Sequence, residues 1–167
     1  MITKIRTIEW KFREEEREYK NYKRMPEVNH PQIAFEIICG IVPNNLIQEQ
    51  FGVLWLNAIN KVIGYEIVSR GTSNMTIVDV RDVFRSAIAG GAHKIILFHN
   101  HPSDNTKPSQ DDMLITKKMW DAGRLLEIPV YDHIIFGSTK KRYTSFLERK
   151  LINSKFCKEL ITGSIKG

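Results

Sequence analysis

Cysteine is scarce. Cys39 and Cys157 are the only two in 167 residues, far apart, and they form neither a CxxC pair nor a disulfide framework. That excludes a stapled secreted scaffold and points to a reducing cytoplasm. Long apolar runs are missing too. Stretches such as Ile95 to Phe98 are far too short to span a bilayer, so no membrane partner is expected. The N-terminus turns charged within a few residues, without the apolar stretch of a signal peptide. There is no internal repeat and no low-complexity tract. What is present is globular: 42% hydrophobic and 26% charged residues, which excludes disorder as the main state. A chain of this length makes one domain able to bury a core without staples.

The net charge is +6, and its distribution matters more than its size. Residues 1–28 carry +2, residues 29–137 carry −2 and residues 138–167 carry +6. The basic excess therefore lies at the C-terminal end, in Lys140, Lys141, Arg142, Arg149 and Lys150 among others. A basic end can touch nucleic acid, but it is more commonly a solvated terminus.

Hydrophobic spacing and punctuation lay out the elements. Ile8, Trp10 and Phe12 alternate with Glu9 and Lys11 at strand period. Arg13 to Arg24 is nearly all charge and tyrosine, a linker or exposed helix. Pro31 opens a short apolar helix that Gly40 ends. Phe51 to Leu56 and Val62 to Ser69 read as a hairpin around Asn57 to Lys61. Asp79 caps a helix to Ala89, stopped by Gly90-Gly91. His93 to Phe98 is a strand, and His99 to Pro108 a loop rich in Pro, Ser, Asp and Asn. Ser109 precedes a long helix to Leu126. Val130 to Phe136 and Arg142 to Phe146 supply further strands. Alternating strands and helices with one hairpin predict an α/β fold with a mixed sheet. The organisation expected is an N-terminal strand and charged segment over 1–28, a domain over 29–151 and a basic tail over 152–167.

The chemistry concentrates in HxH-x7-SxxD: His99, His101, Ser109 and Asp112. Residues i and i+2 at a strand end point to one face, so both imidazoles can aim at one point. Asp112 falls in the first turn of the following helix, at its positive end. Two imidazoles and a carboxylate make a three-ligand set with a position left for water, as in catalytic zinc sites. The same set also suits iron, cobalt or nickel. A competing reading stands beside it: Ser109 with Asp112 is a capping-box variant that starts helices without any chemistry. A hydrolytic site also needs a base that does not ligate the metal. Glu49, just before an apolar strand, is the candidate; a solvated strand-edge glutamate is the plain alternative.

Gln48 to Leu56, Ser69 to Thr72, His99 to Ser103, Pro108 to Asp112 and Asp132 to Gly137, in this order, resemble the RadC-type branch of the JAB1/MPN (JAMM) metalloproteins. The likeness covers Pro31 to Leu151. It implies a mixed sheet flanked by helices in a cytidine-deaminase-like three-layer α/β/α arrangement. It also implies zinc on His99, His101 and Asp112, Glu49 as general acid/base, and Ser109 hydrogen-bonding the oxyanion. In the wider family this machinery cuts amide bonds, including the isopeptide bond between a ubiquitin-like tail and a lysine. Two departures stand out. Asp104 occupies a position that is glycine in the RadC-type motif, which implies an altered loop or an extra acid beside the metal. Residues 1–29 are too few and too charged for the helix-hairpin-helix-like region of long RadC proteins, so the chain resembles the short form found on mobile elements.

The expectation is thus a zinc-dependent hydrolase acting on a peptide or protein substrate. A DNA-associated accessory protein of the RadC type and a metal-bearing scaffold without catalysis are the alternatives. His133 reads as a packed or hydrogen-bonded core histidine rather than a group behind the metal. His30 and His93 read as surface residues, Trp55 and Trp120 as core. Asn100 should point away from the histidines and brace the loop. The N-terminal strand, with Trp10 and the following tyrosines, is a candidate edge for pairing with a second copy.

Overall fold

The computed structural model describes residues 11–14, 25–43, 47–71 and 78–152. The expected N-terminal strand, except Lys11 and Phe12, which are not in a strand, most of the charged segment after it and the tail beyond residue 152 lie outside the described residues. The elements run α1 (Pro31–Ile41), β1 (Gln50–Leu56), β2 (Val62–Arg70), α2 (Val80–Ala89), β3 (Lys94–His101), α3 (Gln110–Leu125), β4 (Val130–Gly137) and β5 (Tyr143–Ser145). The five strands form one sheet in the order β2-β1-β3-β4-β5. Only β3 and β4 are parallel, joined by a crossover through α3; the other neighbours are antiparallel. The fold is α/β with a mixed sheet, as expected.

Alternation along the central strands builds two cores, one on each face. Phe51, Val53, Ile95, Leu97 and Ile135 face α2 and α3. Leu54, Leu56, Ile96, Phe98 and Phe136 face α1. Both faces of the middle strands are covered, which is why β3 and β4 read as continuous apolar runs rather than alternating ones. Burial of these side chains is the main stabilising force, at roughly 1.5–3 kcal/mol for each large apolar group fully removed from water. Trp55 and Trp120, expected inside the core, pack against the α2–α3 cluster from its half-buried rim.

Most element boundaries shift by a residue or so from expectation, and three of the shifts have a physical reason or consequence. Gly40 does not end α1; the helix continues to Ile41, which is buried. Burying an isoleucine outweighs the roughly 1 kcal/mol penalty of a helical glycine. Strand β3 does not stop at Phe98 but continues to His101. It is paired on both sides there, Phe51 opposite His99 and Gly137 beside His101, and ladder pairing overrides the loop-like composition that follows. That extension matters, because it fixes both histidines on regular backbone. The third departure is small: β3 begins at Lys94, leaving His93 exposed before it.

Candidate metal centre

The site forms where the end of β3 meets the start of α3. Strand alternation puts His99 and His101 on the α3 face of the sheet, the face of Leu97. Helix α3 begins with Ser109 as N-cap, and Asp112 is the third residue of its first turn. The capping box is complete: Asp112 N–H donates to Ser109 Oγ at 3.1 Å, and Ser109 N–H donates to Asp112 Oδ2 at 2.6 Å. The cap does not exclude the ligand role. It uses Oδ2 and leaves Oδ1, which is buried without a hydrogen-bond partner. His99 Nε2 lies 3.0 Å from that oxygen. His101 Nε2 lies 3.4 Å from Oδ2 and 2.9 Å from His99 Nε2. Capping and site-building are two uses of one carboxylate.

These residues fit a metal. Their three donor atoms lie within 4.8 Å of one another. His101 Nδ1 is 2.6 Å from the Asn105 carbonyl, which can only accept, so this nitrogen carries the hydrogen and Nε2 of the neutral ring is bare. A buried, unpartnered carboxylate oxygen beside two ring nitrogens is costly unless a cation occupies the common point. Two nitrogens and one oxygen are also the donor types zinc prefers in catalytic sites.

The electrostatics agree. Burial would raise the Asp112 carboxyl, but the two imidazoles and the Ser109 N–H hold it well below the usual carboxylate range. Full burial lowers His99. Burial also works to lower His101, but Asp112, the Asn105 carbonyl and Glu49 overcome it and raise it. Without metal, His101 therefore contributes stability that is full below 6.5, its ordinary value. That contribution is lost as pH rises through the raised value. Metal binding must displace the same proton. His99 and His133, held neutral by burial, act in the opposite sense on the metal-free chain, so the prediction concerns the zinc increment: the rise in melting temperature on adding zinc is expected to grow from mildly acid to mildly alkaline pH. Thermal melts with and without zinc across that range check it.

Glu49 sits one residue before β1. Phe51 pairs with His99, so continuing the antiparallel register places Glu49 opposite His101, on the same face. Asn100, pointing to the other face, braces the segment bearing Glu49. Its Oδ1 accepts from Gln50 N–H at 2.8 Å and its Nδ2 donates to the Gln48 carbonyl at 3.1 Å, one bond on either side of Glu49. The Glu49 carbonyl accepts from Gly71 N–H at 2.9 Å. Burial raises the Glu49 carboxyl above its ordinary value, with His101 opposing and Asp112 reinforcing. One of its oxygens, Oε1, is buried and unpartnered. The expected brace by Asn100 is thus real, but it holds β1 rather than the loop after β3.

Asp104 adopts φ of 58°, the left-handed conformation that glycine supplies most cheaply. Its carboxylate is not an extra acid in the His99–His101–Asp112 cluster. It accepts from Thr139 N–H at 2.9 Å and lies against Gly137, where a Cβ would come within 2.4 Å of Asp104 Oδ1. His30 and His93 are exposed as expected, and His30 caps α1. Lys140, one of the basic residues behind the nucleic-acid reading, instead points its ammonium at the Cys39 and Val42 carbonyls at the end of α1. Spacing arguments missed His133 and Thr116 as neighbours of the site. His133 is fully buried, its Nε2 2.8 Å from His99 Nδ1.

A mixed sheet whose HxH strand meets the start of a helix carrying Asp112 presents a candidate site for one metal ion. Residues 28–151 match the RadC-like JAB domain, and the chain belongs to that family. It is 43% identical over 129 residues to a UPF0758 protein of Symbiobacterium thermophilum, covering 77% of this chain and 54% of that one. With a UPF0758 protein of Staphylococcus carnosus it shares 46% identity over 122 residues, 73% of this chain and 53% of the relative. A UPF0758 protein of Caldanaerobacter subterraneus is 47% identical over 92 residues, 55% of this chain and 40% of the relative. The chain spans about half the length of the curated relatives it matches. Among the described residues, no helix is long and apolar enough to cross a membrane.

Proposed function

We propose that this chain is a zinc-dependent hydrolase of the JAMM type that cleaves peptide or isopeptide amide bonds. The observation that carries the reading is the convergence of His99, His101 and Asp112, with Glu49 across the strand pair from His101. Zinc held by those three side chains would polarise the scissile carbonyl and acidify water. Glu49 takes a proton from the attacking water as its oxygen bonds to the carbonyl carbon. As the C–N bond breaks, Glu49 returns that proton to the leaving amine. The raised Glu49 carboxyl suits both halves of this shuttle. Ser109 Oγ accepts from Asp112 N–H, so the cap leaves its hydroxyl proton uncommitted, able to donate to a developing oxyanion. His99, enclosed by protein, and Asp112, tied down by the cap, hold their donor atoms in place before substrate arrives.

The test is cleavage of a library of linear peptides and lysine-branched isopeptides by the zinc-loaded chain. The expected result is hydrolysis of a subset, abolished by a chelator and restored by stoichiometric zinc. Hydrolysis that chelators leave untouched, or none of any library member, would overturn the proposal.

A further inference from the structure

Behind His99 runs a buried chain of hydrogen bonds that the hydrolytic reading does not use. His99 Nδ1 meets His133 Nε2 at 2.8 Å, and His133 Nδ1 meets Thr116 Oγ1 at 2.6 Å. The Thr116 hydroxyl donates to the Asp112 main-chain carbonyl at 2.5 Å. His99, His133 and Thr116 are all fully buried. The His133 ring is packed between Phe51 and Phe146, so it cannot turn away from these two bonds without disturbing the core.

The order of the protons follows from one atom. A carbonyl oxygen can only accept, so the single Thr116 proton is committed to Asp112. The hydroxyl must therefore accept from His133 Nδ1–H. His133, fully buried, is neutral, so its Nε2 is a bare lone pair and accepts from His99 Nδ1–H. A neutral His99 protonated at Nδ1 presents a bare Nε2, the atom beside Asp112 Oδ1 and His101 Nε2. The reverse order would put a hydrogen on His99 Nε2 and aim it at the place of the cation.

We infer that Thr116 and His133 are positioning residues that lock His99 in its metal-binding tautomer, reading the direction from the backbone of the helix that carries the third ligand. The device couples two ligands. Asp112 contributes its carboxylate to the site directly and, through its carbonyl, orients the imidazole that faces that carboxylate. Partners of this kind typically change metal affinity by about 10–100-fold. The inference rests on the metal-binding reading of the triad and is independent of whether the chain hydrolyses anything.

The experiment uses the full chain and zinc alone. Zinc affinity is measured by competition with a chromophoric chelator for the wild type, Thr116→Val and Thr116→Ser. Valine preserves shape and removes the hydroxyl; serine keeps it. Thr116→Val should bind zinc about 10–100-fold more weakly, and Thr116→Ser should stay within a few-fold of wild type. A purely structural role for Thr116 would not move a second readout, the ring ¹⁵N spectrum of the metal-free chain. Above neutral pH the wild type and Thr116→Ser should show His99 protonated at Nδ1, and Thr116→Val should shift the hydrogen toward Nε2. Wild-type His99 protonated at Nε2 overturns the inference even if the valine variant does not fold. Equal zinc affinity in wild type and Thr116→Val overturns it while leaving the metal reading intact. A wild type that binds no zinc overturns both.

Discussion

Glu49→Gln is expected to lower kcat on any cleaved amide substrate by about 10²–10⁴-fold, the usual worth of a general acid/base, with zinc content unchanged. Glutamine has nearly the same shape, and the Asn100 bonds that hold this segment go to the backbone on either side. The substitution therefore removes the proton acceptor and little else. It should leave KM nearly unaltered, since an interaction made only in the transition state is the one lost. The pH profile supplies a second check. Burial raises the Glu49 carboxyl, so the acid limb of kcat/KM should lie above the ordinary glutamate value, and Glu49→Gln should abolish that limb. Full activity in Glu49→Gln would remove Glu49 from the mechanism.

The second large effect concerns the ligand that also caps a helix. Asp112→Asn should weaken zinc binding by at least about 10²-fold, while the metal-free chain still folds with its helix cap intact. Apparent binding free energies near 10–16 kcal/mol for four-ligand structural zinc sites assign roughly 3 kcal/mol to each ligand. Asparagine retains an oxygen to accept from Ser109 N–H, so the cap survives while the negative charge is lost. Asp112→Ala removes both and should also destabilise the chain by about 0.5–2 kcal/mol through the lost cap. Asp111 is exposed beside it, and Asp111→Asn should change neither property. Chelator competition and thermal melts of the three variants check this. Comparable zinc loss in Asp111→Asn and Asp112→Asn would misplace the ligand.

The two expectations draw on different levels of the sequence. The His99–His101 pair was legible because strand period alone puts i and i+2 on one face. Asp112 was legible because a capping box marks the helix start three residues earlier. Local spacing could not say whether that carboxylate served the cap or a metal, and the structure shows one oxygen in the cap and the other turned to His99. Glu49 depends on the pairing of β1 with β3, about 50 residues apart; its place before an apolar strand made it a candidate, and family resemblance decided it over a solvated glutamate. His133 and Thr116 come together through the crossover from β3 to β4, whose register no local pattern specifies; His133 therefore read as a core residue. Asp104 was flagged by a missing glycine, and its positive φ confirms the backbone demand. Its partner, Thr139 N–H, lies 35 residues away and left no trace in the motif.

The central claim is that His99, His101 and Asp112 together hold one divalent cation. Native mass spectrometry of the full chain, dialysed with zinc and then freed of excess, tests it most directly. The expected result is one zinc per 19.4 kDa chain, lost on Asp112→Asn and retained on Glu49→Gln. A folded wild-type chain carrying no metal, or zinc that persists in Asp112→Asn, would contradict it.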